Sequence, residues 1–229
     1  MKWVEWWRRV TPLAAAQNGL VTAAQALDRG ASRAQLTQLV KHGVLERLSY
    51  GVYLVAGAPM DMWTDTRAAW LSLDPGRTAA QRLASTDPVG IASHETACLL
   101  HGVGNMGADR FEFVTSTRLR TRNPLVHLRT RSAGGDEWTV RQGLPVTTIP
   151  RTVSDLVRDG VDGDHLGAVV RDALVDRLTT VDELAVALDP VSSVYQATDG
   201  YMAVVHLLDL VGLRGIDLER LGFDPAVAA

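Results

Sequence analysis

Residues 20–57, LVTAAQALDRGASRAQLTQLVKHGVLERLSYGVYLVAG, leave the chain little choice of local fold. Thr22 and Ser32 each stand where a helix N-cap belongs, ahead of short runs with helical apolar spacing. The first helix is expected over 23–28, with Ala24, Ala26 and Leu27 as its apolar stripe. The second is expected over 33–42, with Leu36, Leu39 and Val40 at i, i+3 and i+4 facing inward. Gly30 supplies the sharp turn between them, because glycine enters the left-handed region without steric cost. After Gly43, the runs 44–48 and 52–55 flank Ser49-Tyr50-Gly51, a hairpin signature. Helix, turn, helix and hairpin in that order make the plan of a winged helix-turn-helix domain that reads DNA.

In such a domain the second helix enters the major groove, where Arg and Gln can make paired hydrogen bonds to base edges. Its N-terminus directs free amides toward phosphate. Ser32, Arg33, Gln35, Thr37, Gln38 and Lys41 are therefore the candidate DNA-contacting residues of the helix. Arg47, Ser49 and Tyr50 are the candidates of the wing, set against the backbone or the minor groove. Each could equally be an ordinary solvated surface residue, and helix-turn-helix shapes also serve in protein-binding modules.

Charge supports a phosphate partner at this end of the chain. Residues 1–57 carry a net charge of +4, 58–109 of −3, 110–151 of +5 and 152–229 of −9, within an overall −3. Neutralising phosphates provides most of non-specific DNA affinity, so the basic start suits nucleic acid and the acidic end does not. A hydrophobic content of 46% and a charged content of 21% are those of a folded globular chain. The single cysteine, Cys98, rules out an intrachain disulfide and fits a reducing compartment. No run approaches a membrane span. Glu5, Arg8, Arg9 and Pro12 interrupt any signal-peptide core, so the expected location is cytoplasmic. On a helix, Trp3, Trp6, Trp7 and Val10 share one face, which suggests packing onto the DNA-reading domain or onto a second copy.

The expected fold class is α+β: a winged helix-turn-helix domain over 1–57, then a larger domain over 58–229 with a small, mainly antiparallel sheet and several helices. Helices are expected at 62–73, 78–84, 94–101, from 151, and at 166–178, 181–188 and 201–210. Strands are expected at 111–114, 126–129, 139–141 and 145–148. Arg118, Arg120 and Arg122 alternate along an extended segment, as do Arg129 and Arg131 on the next strand. They form a second candidate phosphate-binding patch, with a solvated, partly salt-bridged sheet face as the plainer alternative.

Catalytic and metal chemistry find little support. A helical zinc site needs two histidines four residues apart, whereas His101 follows His94 by seven, about 10 Å along a helix axis. No lysine-bearing phosphate loop and no nucleophile elbow occur. The carboxylate pairs Asp155/Asp159 and Asp172/Asp176 lack the companion lysine that a nuclease would need. No metal, cofactor or catalytic residue is expected, and the protein is not expected to be an enzyme.

With these pieces in place, the chain resembles the AbiEi family of antitoxins from type IV toxin–antitoxin systems. The resemblance rests on the 20–57 segment, on ASHETACLLHGVG at 92–104 and on GLPVTTIPRTVSDLV at 143–157, and spans most of 10–160. The last seventy or so residues match only as generic helices. The resemblance implies an autorepressor that binds inverted repeats of its own promoter as double-stranded operator DNA. It also implies a second domain that counters a cognate nucleotidyltransferase-like toxin, directly or indirectly. A monomer or weak dimer in solution, cooperative on DNA, would fit. A related group joins the same first domain to a small endonuclease domain, but an acidic-plus-lysine nuclease core is not evident at this C-terminus. The alternatives are an effector-responsive transcription factor without a toxin partner and an enzyme acting on nucleic acid.

Overall fold

The computed structural model describes residues 2–214 and 219–221, the side chains of residues 2–5 aside. Helix α1 (Lys2–Ala15) leads into strand β1 (Leu20–Thr22). Helices α2 (Ala23–Asp28) and α3 (Arg33–Lys41) follow, then the hairpin β2 (Leu45–Ser49) and β3 (Val52–Val55). Both expected caps are capping boxes. The Thr22 hydroxyl accepts from the Gln25 amide at 3.1 Å, and the Gln25 side chain accepts from the Thr22 amide at 3.1 Å. Ser32 and Gln35 do the same for α3. Gly30 has φ +91° at the turn and Gly51 has φ +74° in the hairpin loop, conformations that glycine adopts without strain.

Strand β1 adds to the expected hairpin. Leu20, Val21 and Thr22 pair antiparallel with Leu54, Tyr53 and Val52, so the sheet order is β1-β3-β2. Three residues are too few to show an alternating pattern. The core beneath this sheet joins Trp6, Val10 and Ala14 of α1 to Val21, Ala26, Leu36 and Leu45. Trp6 Nε1 donates to the Ala26 carbonyl at 3.2 Å, which pins the tryptophan helix onto α2. Of the two packings open to that helix, the structure takes the one onto its own domain; the Trp3 side chain lies outside the described residues.

Helices α4 (Thr64–Leu73) and α5 (Ala79–Leu83) come next. Arg67 donates through Nη1 to both Asp61 carboxylate oxygens at 2.8 and 2.9 Å, and through Nε to the Gln142 carbonyl at 2.9 Å. Arg82 is fully buried with its guanidinium 3.8 Å from the Trp70 ring centroid. It donates to the Trp70 carbonyl at 2.7 Å and to the Val89 carbonyl. Burial pushes its pKa down to about 9, so it stays charged at neutral pH. A cation–π contact and two carbonyl acceptors take the place of a carboxylate.

The remaining elements are β4 (Ile91–Ala92), α6 (His94–His101), β5 (Phe111–Thr115), β6 (Val126–Thr130), β7 (Trp138–Arg141), β8 (Leu144–Thr147) and α7 (Ile149–Arg158). After them come α8 (Gly163–Val175), α9 (Val181–Leu188), a 3-10 turn at Asp189–Tyr195 and α10 (Gly200–Leu210). The second sheet has the order β6-β5-β4-β8-β7 and is mixed, since β4 and β8 pair in parallel through Ala92 and Val146. The two residues of β4 give no periodic signal, and that short strand supplies the parallel pair. The fold is thus α+β, with a small antiparallel sheet early and a larger sheet with helices after it.

The chain forms two compact units. One comprises 1–90, 114–132 and 142–145; the other comprises 91–113, 133–141 and 146–229. The second unit has its own helical core, in which Val153, Leu156, Val169, Leu184, Val204 and Leu207 are buried. Gly167 permits the close approach of α8 to α10, because a Cβ there would meet the Leu207 carbonyl oxygen at 2.3 Å. No helix among the described residues is long and apolar enough to cross a membrane.

Two predictions follow from the buried arginine and the Arg67 clamp. Arg82→Met strands two carbonyls that now accept charge-assisted hydrogen bonds, and should lower unfolding free energy by about 2–5 kcal/mol in a denaturant titration. The hydrogen bonds from Arg67 hold the Asp61 carboxyl below its ordinary 3.8. That stabilisation is complete above the ordinary value and is lost as pH falls through the lower folded-state value. Asp61→Asn should therefore flatten the acid limb of the stability profile, read as the thermal midpoint at successive pH values.

Candidate nucleic-acid interface

Helix α3 is fixed on one side and open on the other. Leu36 is buried, and Leu39 and Val40 pack against the same core. Arg33, Ala34, Thr37, Gln38 and Lys41 are exposed. At about 100° per residue these five positions fill one continuous arc of roughly 140°. The candidates Arg33, Thr37, Gln38 and Lys41 therefore share a single outward face. Ser32 and Gln35 are engaged with each other. The Ser32 hydroxyl accepts from the Gln35 amide at 3.2 Å, and Gln35 Oε1 accepts from the Ser32 amide at 2.7 Å. These two residues start the helix and hold its first turn.

The hairpin turns beside that face. Its register shifts between Arg47 and Ser49, and such a bulge re-aims the side chains at the tip. Tyr50 stands 60% exposed at the tip, in keeping with a contact residue. The Arg47 guanidinium lies 5.5 Å from the Tyr50 ring centroid and donates through Nε to the Ser49 carbonyl at 3.3 Å.

A second guanidinium reaches the same ring. Arg122, in the loop between β5 and β6, lies 5.0 Å from the Tyr50 centroid and donates to its hydroxyl at 2.9 Å. The two residues are 72 apart in sequence, and nothing in the local pattern announces the pairing. A cleft of about 510 Å³ opens between α2, α3, the wing and this loop. Arg33 and Thr37 of α3 line it, as do Arg47, Ser49 and Tyr50 of the wing, together with Arg120 and Arg122.

The arginine patch expected from spacing is thus divided. Residues 118–122 lie in a loop without regular secondary structure. Arg120 and Arg122 join the cleft, whereas Arg118, Arg129 and Arg131 do not line it. Arg118 is exposed in the loop, Arg129 lies on β6, and the Arg131 amide donates to the Thr115 carbonyl at 3.0 Å. Tyr53, Ser72 and Pro75 also line the cleft, and only the folded chain reveals them.

Several titratable groups of the second unit have structural partners. His94 Nε2 lies 3.1 Å from an Asp159 carboxylate oxygen, while His101 Nε2 lies 2.8 Å from the Thr147 carbonyl. Burial lowers the His101 pKa below its ordinary value. Among the described residues no group of three or more His, Cys, Asp or Glu could hold a metal ion. Asp155 is fully buried and accepts from Arg151 Nε at 2.9 Å, with Arg151 Nη1 donating to Glu137 at 2.7 Å. Asp172 accepts from the Gly104 amide at 2.9 Å and from Arg171.

The capping role of Ser32 is open to measurement. Ser32→Ala should cost about 1 kcal/mol of stability and loosen the first turn of α3, read as faster amide exchange at Gln35.

No curated protein gives a significant match to the chain. One family model does match, over residues 8–56, and its description is "Transcriptional regulator, AbiEi antitoxin". The matched stretch holds α2, α3 and the whole wing, and thus every helix and wing residue of the candidate interface. Through this helix–turn–helix and hairpin, the chain is similar to the AbiEi antitoxin family of transcriptional regulators.

Proposed function

We propose that this protein is a cytoplasmic antitoxin and transcriptional autorepressor that binds inverted repeats in its own promoter and counters a cognate nucleotidyltransferase-like toxin. The observation that carries the reading is the outward arc of α3 beside an arginine- and tyrosine-bearing wing, within the stretch that matches the regulator family. In this reading residues 1–57 dock on DNA and 58–229 serve the antitoxin role. No catalytic step is invoked.

The mode of docking follows from the side chains. Arg33 and Gln38 have the planar, bidentate groups that distinguish base edges, each such pair worth about 1–3 kcal/mol of discrimination. Lys41 is a point charge suited to phosphate, and Arg47 and Tyr50 meet the backbone or the minor groove. Inverted repeats suit two copies bound side by side, each placing one α3 in successive major grooves. The toxin partner comes from the family likeness, and the toxin is countered directly or indirectly.

Mobility shift with the DNA upstream of the protein's own gene tests this reading. Binding should be strongest at low salt, and its absence there would overturn the proposal, because the phosphate contribution is then largest. Arg33→Ala and Gln38→Ala should weaken specific binding more than non-specific binding. Lys41→Ala should weaken both alike and reduce the salt slope by about 1. Equal losses on all sequences for the three variants would mean that another face of the helix meets the bases.

A further inference from the structure

The cleft between α3, the wing and the β5–β6 loop gathers four arginines. Arg33, Arg47, Arg120 and Arg122 line it, and no Asp or Glu does. Among the described residues, none of these four guanidinium groups has a carboxylate within ion-pairing distance, whereas Arg67, Arg151 and Arg171 each have at least one. Two of the four converge on one aromatic ring, Tyr50. Like charges gathered this way repel each other unless an anion lies among them.

The rest of the lining is that of a small-molecule site. Ala24, Leu27 and Leu36 supply apolar surface, and Tyr50 and Tyr53 supply aromatic rings. The volume, about 510 Å³, falls in the range typical of ligand pockets, about 300–1,000 Å³. The Ser49 hydroxyl oxygen, on a residue that lines the cleft, is buried without a hydrogen-bond partner. Burying such a group unpaired is costly.

We propose that this cleft is a binding site for a free phosphorylated ligand of nucleotide size. The phosphates lie among the guanidinium groups, which suit bidentate contact with phosphate oxygens, and the base or other planar part lies against the apolar and aromatic lining. The β5–β6 loop completes the site by bringing Arg120 and Arg122 to the wing. Because Arg33, Arg47 and Tyr50 are also proposed to meet DNA, ligand and operator compete, and occupancy of the cleft tunes repression. This last step rests on the DNA-docking reading above; the binding site itself does not. The same phosphate chemistry could come from the backbone of a duplex, and the experiment separates the two sources.

The full-length chain is titrated with a fluorescent ATP analogue, then with inorganic pyrophosphate and with adenosine as competitors. Saturable binding of the analogue is expected, displaced by pyrophosphate and hardly by adenosine. In Arg122→Ala the affinity should fall about tenfold or more, and further in Arg120→Ala/Arg122→Ala, since each loses charge-assisted hydrogen bonds. Both side chains are exposed, so folding should survive, and an unchanged thermal midpoint checks this. Promoter DNA should displace the bound analogue. Failure of analogue and pyrophosphate alike to bind would overturn the proposal. If Arg122→Ala then weakened duplex binding and lowered its salt slope, the duplex backbone would be the phosphate source. Binding that ignores both substitutions would overturn it too, by placing the ligand elsewhere. Failure of the wild-type chain to bind promoter DNA would count against the DNA-docking reading alone.

Discussion

Thr22 sits where three structural demands meet, and the DNA-reading module depends on all three. Its backbone ends β1 and pairs with Val52, so it anchors the strand that widens the wing into a three-stranded sheet. Its side chain caps α2 through the box with Gln25. The same hydroxyl donates to the Pro75 carbonyl, and Gln25 Nε2 donates to the Arg77 carbonyl at 2.9 Å. A buried Gln17–Gln25 pair extends the network, with Gln17 Oε1 accepting from the Ala79 amide at 2.8 Å. Sheet, first helix and the 75–79 segment are therefore held by one connected set of buried polar groups. Such sets are stabilising when fully paired and costly when broken, which makes the position of α2, and of α3 behind it, a single outcome.

Arginine plays opposite roles across this molecule, and its partners decide which. Arg82 is wholly buried, where the Trp70 face meets the guanidinium and two carbonyls partner its Nη groups. Arg151 is tied to Asp155 and Glu137. In both places the planar fork organises the protein interior. Among the described residues the four cleft arginines lack such carboxylates, and all four are exposed. Charge without an internal partner is available for an external one. The contrast gives the cleft a meaning that net charge alone could not, since 1–57 and 110–151 are both basic as stretches of sequence.

The local half of this architecture was legible because its determinants are local. A hydroxyl side chain ahead of each run of helical apolar spacing, Thr22 and then Ser32, specified where α2 and α3 begin. The spacing of Leu36, Leu39 and Val40 fixed which side of α3 is buried. Strand β1 leaves no sequence signal because three residues carry no period, and β4 because two carry less. The same limit hid the parallel β4–β8 pair, which depends on residues far apart in the chain.

Side-chain roles divided along the same line. By sequence Ser32 is both a cap and a DNA-contact candidate and Gln35 a contact candidate, and the folded chain pairs the two across one helical turn. Arg118, Arg120 and Arg122 looked alike by alternation, but only the last two reach the cleft. By itself the sequence determined the helix–turn–helix and hairpin, the buried face of α3 and a basic N-terminal end, because caps, turns and short-range periodicity act over a few residues. Only the tertiary structure decided that Arg122 meets Tyr50 across 72 residues and that four arginines surround one cleft. That encounter is set by how the β5–β6 loop is carried back to the wing, and no local preference encodes it.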